Sequence, residues 1–116
     1  MDIVTKRAYG EPSKSDGSRV LVDRLWPRGI KKETLALDEW CKGIAPSSEL
    51  RRWFNHQPER FDEFRNRYIE ELINNTEPRA LLGRYRGGGK LTLVYAAKDP
   101  IFNHAKVLQE YLKSLL

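Results

Sequence analysis

The sequence predicts an α/β fold: a small, mostly parallel sheet of three or four strands with helices on both faces. Three observations lead there. Val20, Leu21, Val22 and Leu25 form a short apolar run of the kind shown by a strand buried on both faces. Lys90–Ala97, KLTLVYAA, is a second such run. Segments with helical spacing of apolar residues lie between and after them, and strands separated by helices imply parallel crossovers.

In chain order, Ile3–Arg7 reads as a first short strand, edge or central, before Gly10, Pro12, Ser13, Ser15, Asp16 and Gly17 impose a loop. Ser18–Trp26 is the second strand, broken by Pro27 and Gly29, after which Lys31–Leu35 suits a single helical turn. Ala36–Ile44 fits either a helix or a short strand, and its flanking breakers favour the strand. Ala45, Pro46 and Ser47 open a helix, with Ser47 able to accept from exposed amides, that carries Leu50, Trp53 and Phe54 and stops near Asn55. Pro58 suits the first turn of a longer helix in which Phe61, Phe64, Tyr68, Ile69, Leu72 and Ile73 recur at helical spacing. Thr76 and Pro78 begin a further helix that Gly87–Gly89 end. From about Asn103, Ala105, Leu108, Leu112 and Leu115 form the stripe of a last one.

At 116 residues the chain is predicted to be a single domain, 1–116, with one core. No apolar run approaches the roughly 20 residues of a membrane helix, and the first residues lack the pattern of a secretory signal. One cysteine, Cys41, allows neither an internal disulfide nor a cysteine-based metal cluster. A small buried hydrophobe is its default role, and a reducing cytoplasm the expected setting. No cofactor is expected. Net charge is +5. It is segregated: Lys14–Lys32 holds six basic and two acidic residues, Arg79–Lys90 four basic and none acidic, and Glu33–Glu77 six basic and ten acidic. Such segregation favours an anionic small molecule or a nucleic acid as partner, although for any single Lys or Arg a solvated surface is the duller role. Gly87–Gly89 lacks the ending of a phosphate-binding loop and serves as a linker.

Two strand ends carry polar clusters: Asp23, Arg24, Trp26 and Arg28 after one, Lys98, Asp99, Asn103 and His104 after the other. In an open α/β sheet ligands bind beyond the carboxyl ends of the strands, so if these strands are parallel neighbours both clusters face one crevice. Arg24 and Arg28 suit a phosphate or carboxylate, and Lys98 adds a compact charge. Asp23 and His104 are the candidate catalytic groups, each a possible base. Trp26 offers stacking surface, whereas Trp40 and Trp53 suit the core. Each residue also has a structural alternative: Asp23 as an ion-pair partner, Asp99 or Asn103 as a helix cap, His104 as a capping or solvent-facing imidazole. With one Cys and two His, a zinc site is not expected.

The strings GSRVLVDRLWPRGIKKE, WCKGIAPSSELRRWFNHQPERFDEFRNRYIEEL and LTLVYAAKDPIFNHAKVLQEYL together resemble the YeaO-like family of small bacterial proteins, a branch of a larger domain family of unknown function. The likeness runs from about Ile3 onward. It brings no established activity. More distant relatives look similar at an Asp-Arg-x-x-Pro segment, here Asp23, Arg24 and Pro27, and tend to carry Cys-His-Arg where this chain has Asn103, His104 and Ala105. His104 matches that pattern. Asn103 and Ala105 depart from it, so the resemblance implies no cysteine-dependent chemistry here. Gln57 also departs, standing where the family usually has an acidic residue.

The leading expectation is therefore a pocket for a phosphate-bearing ligand, with a hydrolytic or transfer reaction on a nucleotide or nucleic acid as its conceivable chemistry. The competing expectation is a non-catalytic nucleic-acid-binding module using stretches 14–32 and 79–90, and a third is an interaction protein whose crevice binds nothing.

Overall fold

A computed structural model describes residues 1–116. Its centre is a four-stranded sheet in the order β1-β4-β2-β3, with every neighbouring pair parallel. The strands are β1 (Asp2–Arg7), β2 (Ser18–Leu21), β3 (Glu39–Trp40) and β4 (Lys90–Tyr95). The helices are α1 (Lys32–Leu35), α2 (Ser48–Phe54), α3 (Phe61–Ile73), α4 (Glu77–Tyr85) and α5 (His104–Ser114), with single 3-10 turns at Lys14–Asp16, Lys42–Ile44 and Pro58–Arg60. No helix is long and apolar enough to cross a membrane.

The expected parallel α/β sheet is there, and β1 takes an edge. Its cover is unequal. Leu91, Leu93 and Tyr95 of β4, with Ile3, Val20 and Val22, pack against Leu50, Phe54, Phe64, Tyr68, Leu72, Leu81, Leu108 and Leu112 from α2–α5. Full burial of each such large side chain contributes about 1.5–3 kcal/mol, so this face carries most of the apolar stabilisation. On the other face Leu21 and Val94 meet only Ala8 and Leu35, with Trp26, Ile30, Leu37 and Trp40 around them. Period-2 alternation along β4 thus survives although both its faces are covered.

Both long apolar runs stop being strands sooner than their composition suggests. The second strand, read as Ser18–Trp26, ends at Leu21, and the run Lys90–Ala97 ends at Tyr95. Side chains replace the ladder there: the Ala96 amide donates to Asp23 Oδ2 (3.0 Å), and the Trp40 indole donates to the Asp23 carbonyl (2.7 Å). Of the segment Ala36–Ile44 only Glu39–Trp40 is strand: Ala36 caps α1 and Lys42–Ile44 form a 3-10 turn. Pro58 likewise opens a 3-10 turn that leads into α3, instead of α3 itself. Ser47 caps α2 by accepting from the Leu50 amide, and Asn55 ends it in the left-handed region. Gly17, at φ +65°, lets the chain enter β2 across the start of β4, where a Cβ would lie 2.5 Å from the Lys90 carbonyl oxygen.

Candidate functional site

Because β2 and β4 are adjacent and parallel, their carboxyl ends open on the same side, and α5 begins there. Asp23 and His104 meet. His104 Nε2 lies 2.9 Å from Asp23 Oδ1 and 3.2 Å from the Val22 carbonyl oxygen. Both neighbours are acceptors, so Nε2 carries the proton, and its N–H is directed at Val22. Asp23 Oδ1 is left buried with a ring nitrogen beside it but no donor in line. Nδ1 has no partner within the chain and is not closed off from solvent. An imidazole held through one nitrogen by a backbone carbonyl, with a carboxylate beside it and the other nitrogen open, can accept a proton or hold a ligand donor.

The other predicted residues divide. Arg24 stretches away from the crevice to the Ala45 and Pro46 carbonyls, at 3.3–3.4 Å, and ties down the segment before α2. Asn103 is buried and its Oδ1 accepts from the Lys106 amide, so it is the cap of α5, while its Nδ2 donates to the Asp99 carbonyl. Asp99 Oδ1 accepts from the Phe102 and Ile101 amides, which hold its carboxyl below the ordinary aspartate value. Its carboxylate builds the turn before α5. Trp26 joins the second face, donating to the Ile30 carbonyl and packing edge-on against Trp40 at 5.3 Å. Arg28 and Lys98 are exposed, and neither forms a side-chain ion pair. The structure therefore joins Asp23 to His104, makes Arg24, Asp99 and Asn103 scaffolding, and leaves Arg28 and Lys98 as free cations.

The two basic stretches are similarly thinned. Arg19 is buried, Arg24 is committed as above, and Arg84 is paired with Glu39 at 2.6 Å. Cys41 is buried beside Glu77 and Glu39. Burial, reinforced by those carboxylates, pushes its thiol up to about 12, which keeps it protonated and unreactive at neutral pH.

Two features were not anticipated. The Tyr68 hydroxyl, read only as core, donates to the Ile44 carbonyl at 2.7 Å from full burial; burial, then Glu71 and Asp23, push its phenol well above the ordinary value. At the start of β2, Asp16 and Arg19 form a buried pair at 2.7 Å. Arg19 also donates to the Leu35 and Ala36 carbonyls, and Asp16 accepts from Lys6 and the Ser13 amide. Arginine inside an apolar strand run was the available signal. A shallow groove of about 870 Å³ lies beside β3 and includes Trp26 and Trp40.

Residues 2–116 match the family model described as "Inactive DUF488-N3 subclade". The chain is 48% identical over 115 residues to the Escherichia coli (strain K12) protein titled "Uncharacterized protein YeaO", covering 99% of this chain and 100% of that one. It is 47% identical over 106 residues to uncharacterized proteins of Mycobacterium bovis and Mycobacterium tuberculosis, covering 91% of this chain and 89% of each. No solved structure is matched.

Proposed function

The chain belongs to the inactive DUF488-N3 subclade, DUF488-N3i, and on that premise we propose that it is a binding protein whose crevice takes a small phosphate-bearing ligand, such as a nucleotide, without turning it over. The observation that carries this reading is the Asp23–His104 pair, whose open Nδ1 is an acceptor for the O–H of a hydrogen phosphate or of a sugar hydroxyl. Asp23 Oδ1 is shut away from solvent, so the group offered to a ligand is the imidazole and not the carboxylate. Arg28 and Lys98, both exposed and without ion-pair partners, supply positive charge on the carboxyl-end side of the sheet. Asn103, which stands where more distant relatives tend to carry a cysteine, is buried with its Oδ1 capping α5 and its Nδ2 on the Asp99 carbonyl, which supports binding without cysteine-dependent turnover. The single buried thiol fits a cytoplasmic setting.

Thermal unfolding with inorganic phosphate and nucleoside monophosphates tests this reading. Ligand at about 100 times its dissociation constant adds roughly 2.7 kcal/mol, and the gain should vanish when Arg28→Ala and Lys98→Ala are combined. The nucleotide should be recovered unchanged. Absence of any gain sinks the reading, and so does product formation. A gain with long nucleic-acid strands alone, falling log-linearly with salt, would favour the backbone-binding alternative through the basic residues left free.

A further inference from the structure

Asp23 and His104 stand on the β2 side of the crevice. The β1 side carries Arg7, which lies in neither basic stretch of the chain. We infer that Arg7 is the residue that grips the phosphate group, as a forked donor fixed in place before the ligand arrives, an inference that rests on the phosphate-binding reading above.

β4 ends at Tyr95, and the next two residues are held from both sides. The Ala96 amide donates to Asp23 Oδ2 at 3.0 Å, and the Ala97 carbonyl accepts from Arg7 Nε at 3.1 Å. Arg7 and the Asp23–His104 pair therefore flank one short segment, with β1 and β2 on opposite sides of β4. Along β1, Arg7 has the parity of Ile3, so it rises on the face that α5 covers, where His104 also lies.

Arg7 is fixed at two points. Its Nε is spent on Ala97, and its guanidinium lies 4.6 Å from the centroid of the Tyr9 ring. That ring is itself held, because the Tyr9 hydroxyl donates to the Arg28 carbonyl at 2.9 Å. Nη1 and Nη2 have no hydrogen-bond partner in the chain, and Arg7 forms no ion pair. Arg19 and Arg24 differ: the first spends both Nη groups, on Asp16 and the Leu35 carbonyl, and the second turns Nη2 to the Ala45 and Pro46 carbonyls. Paired guanidinium N–H groups match two oxygens of a phosphate, and holding them still beforehand lowers the ordering cost of binding.

The carboxylates nearby are engaged. Burial raises the Tyr95 pKa, with Arg7 acting against it and Asp99 adding to it, so both charges are felt at one hydroxyl. Asp99 spends Oδ1 on the Ile101 and Phe102 amides, and Asp23 spends Oδ2 on Ala96. Glu11 lines a hollow with Ala8 and Ile30, on the other face of the sheet. Arg28 and Lys98 extend from the backbone segments that Tyr9 and Arg7 hold, and add positive charge beside the open fork.

Calorimetric titration of the full chain with inorganic phosphate and with adenosine monophosphate tests this on Arg7→Gln, Arg7→Lys and Arg79→Gln. Arg79 is exposed on α4, and its variant removes the same unit of charge. Arg7→Gln should weaken both ligands at least about tenfold, and Arg79→Gln less than about twofold. Arg7→Lys keeps the charge but not the fork; it should weaken them about threefold or more, and it decides the matter alone if Arg7→Gln does not fold. The His104 ring proton signals of the free Arg7→Lys chain should stay in place, whereas a purely structural Arg7 would displace them. Unaltered affinity in a folded Arg7 variant, equal weakening by Arg7→Gln and Arg79→Gln, or displaced His104 signals would overturn the inference and leave the phosphate-binding reading standing. No binding by the unsubstituted chain would overturn both.

Discussion

Strand β2 has an acid and a base at each end, and the two pairs are finished differently. At its start, Arg19 uses Nε, Nη1 and Nη2, and Asp16 is met by Lys6, Arg19 and the Ser13 amide. At its finish, Asp23 keeps a buried oxygen without an aligned donor, and His104 keeps a nitrogen without a partner. Similar ingredients give a closed network in one place and an open one in the other. A closed network rigidifies a fold and has little left to offer a ligand; an open one retains interaction energy that only a further group can collect.

That difference can be broken most forcefully at Arg19. Arg19→Met takes the buried cation from Asp16 and the donors from the Leu35 and Ala36 carbonyls, and should cost about 3 kcal/mol in urea unfolding, against about 1 kcal/mol for Asp23→Asn, which keeps an acceptor for the Ala96 amide. Equal losses would erase the distinction. Gly17→Ala, beside the same closed network, should cost about 2–3 kcal/mol, since the left-handed backbone and the Lys90 carbonyl both oppose a methyl group.

The third contrast is in pH. Burial acts to raise the Asp16 pKa, but the Ser13 amide, Lys6 and Arg19 outweigh it and the carboxyl lies below its ordinary value. The unfolded chain therefore takes up this proton first as pH falls. The contribution is complete above an unfolded pKa of about 3.9 and disappears as pH drops through the lower folded value. Urea midpoints measured through that acid window should fall less steeply for Asp16→Asn than for the unsubstituted chain. The smallest stability change is expected for His104→Gln, about 1 kcal/mol or less, with the phosphate-induced gain lost all the same. A large loss there would place His104 with the scaffolding.

The elements were legible where one periodicity dominated, as in α3, and where a cap was explicit, as at Ser47. Strand ends were not, because Asp23 and Trp40 end them through tertiary bonds that no local pattern announces. Within the candidate site, the meeting of the Asp23 and His104 segments followed from strand and helix logic alone. For Asp99 and Asn103 the residue types left a capping role and a ligand role open, and the structure makes Asn103 the cap; the fate of Arg24 was not legible. An arginine that grips carbonyls and one that awaits a phosphate have the same sequence signature, and only the position of Ala45 and Pro46 separates them. Asp16 and Arg19 were missed because a loop aspartate and a strand arginine read as two separate polar residues until Gly17 folds one back on the other.

The strand order also sets a timetable. β4 lies between β1 and β2, yet it is the last strand to be synthesised: Asp2 must await Lys90, and Arg7 must await Tyr95. As the ribosome extends the chain by roughly 5–20 residues per second, β1 emerges with no neighbour, and β2 has only the two residues of β3. The sheet cannot propagate from its amino-terminal side. Its centre arrives late, and until then the apolar faces of β1 and β2 are open to chaperones or to other nascent chains.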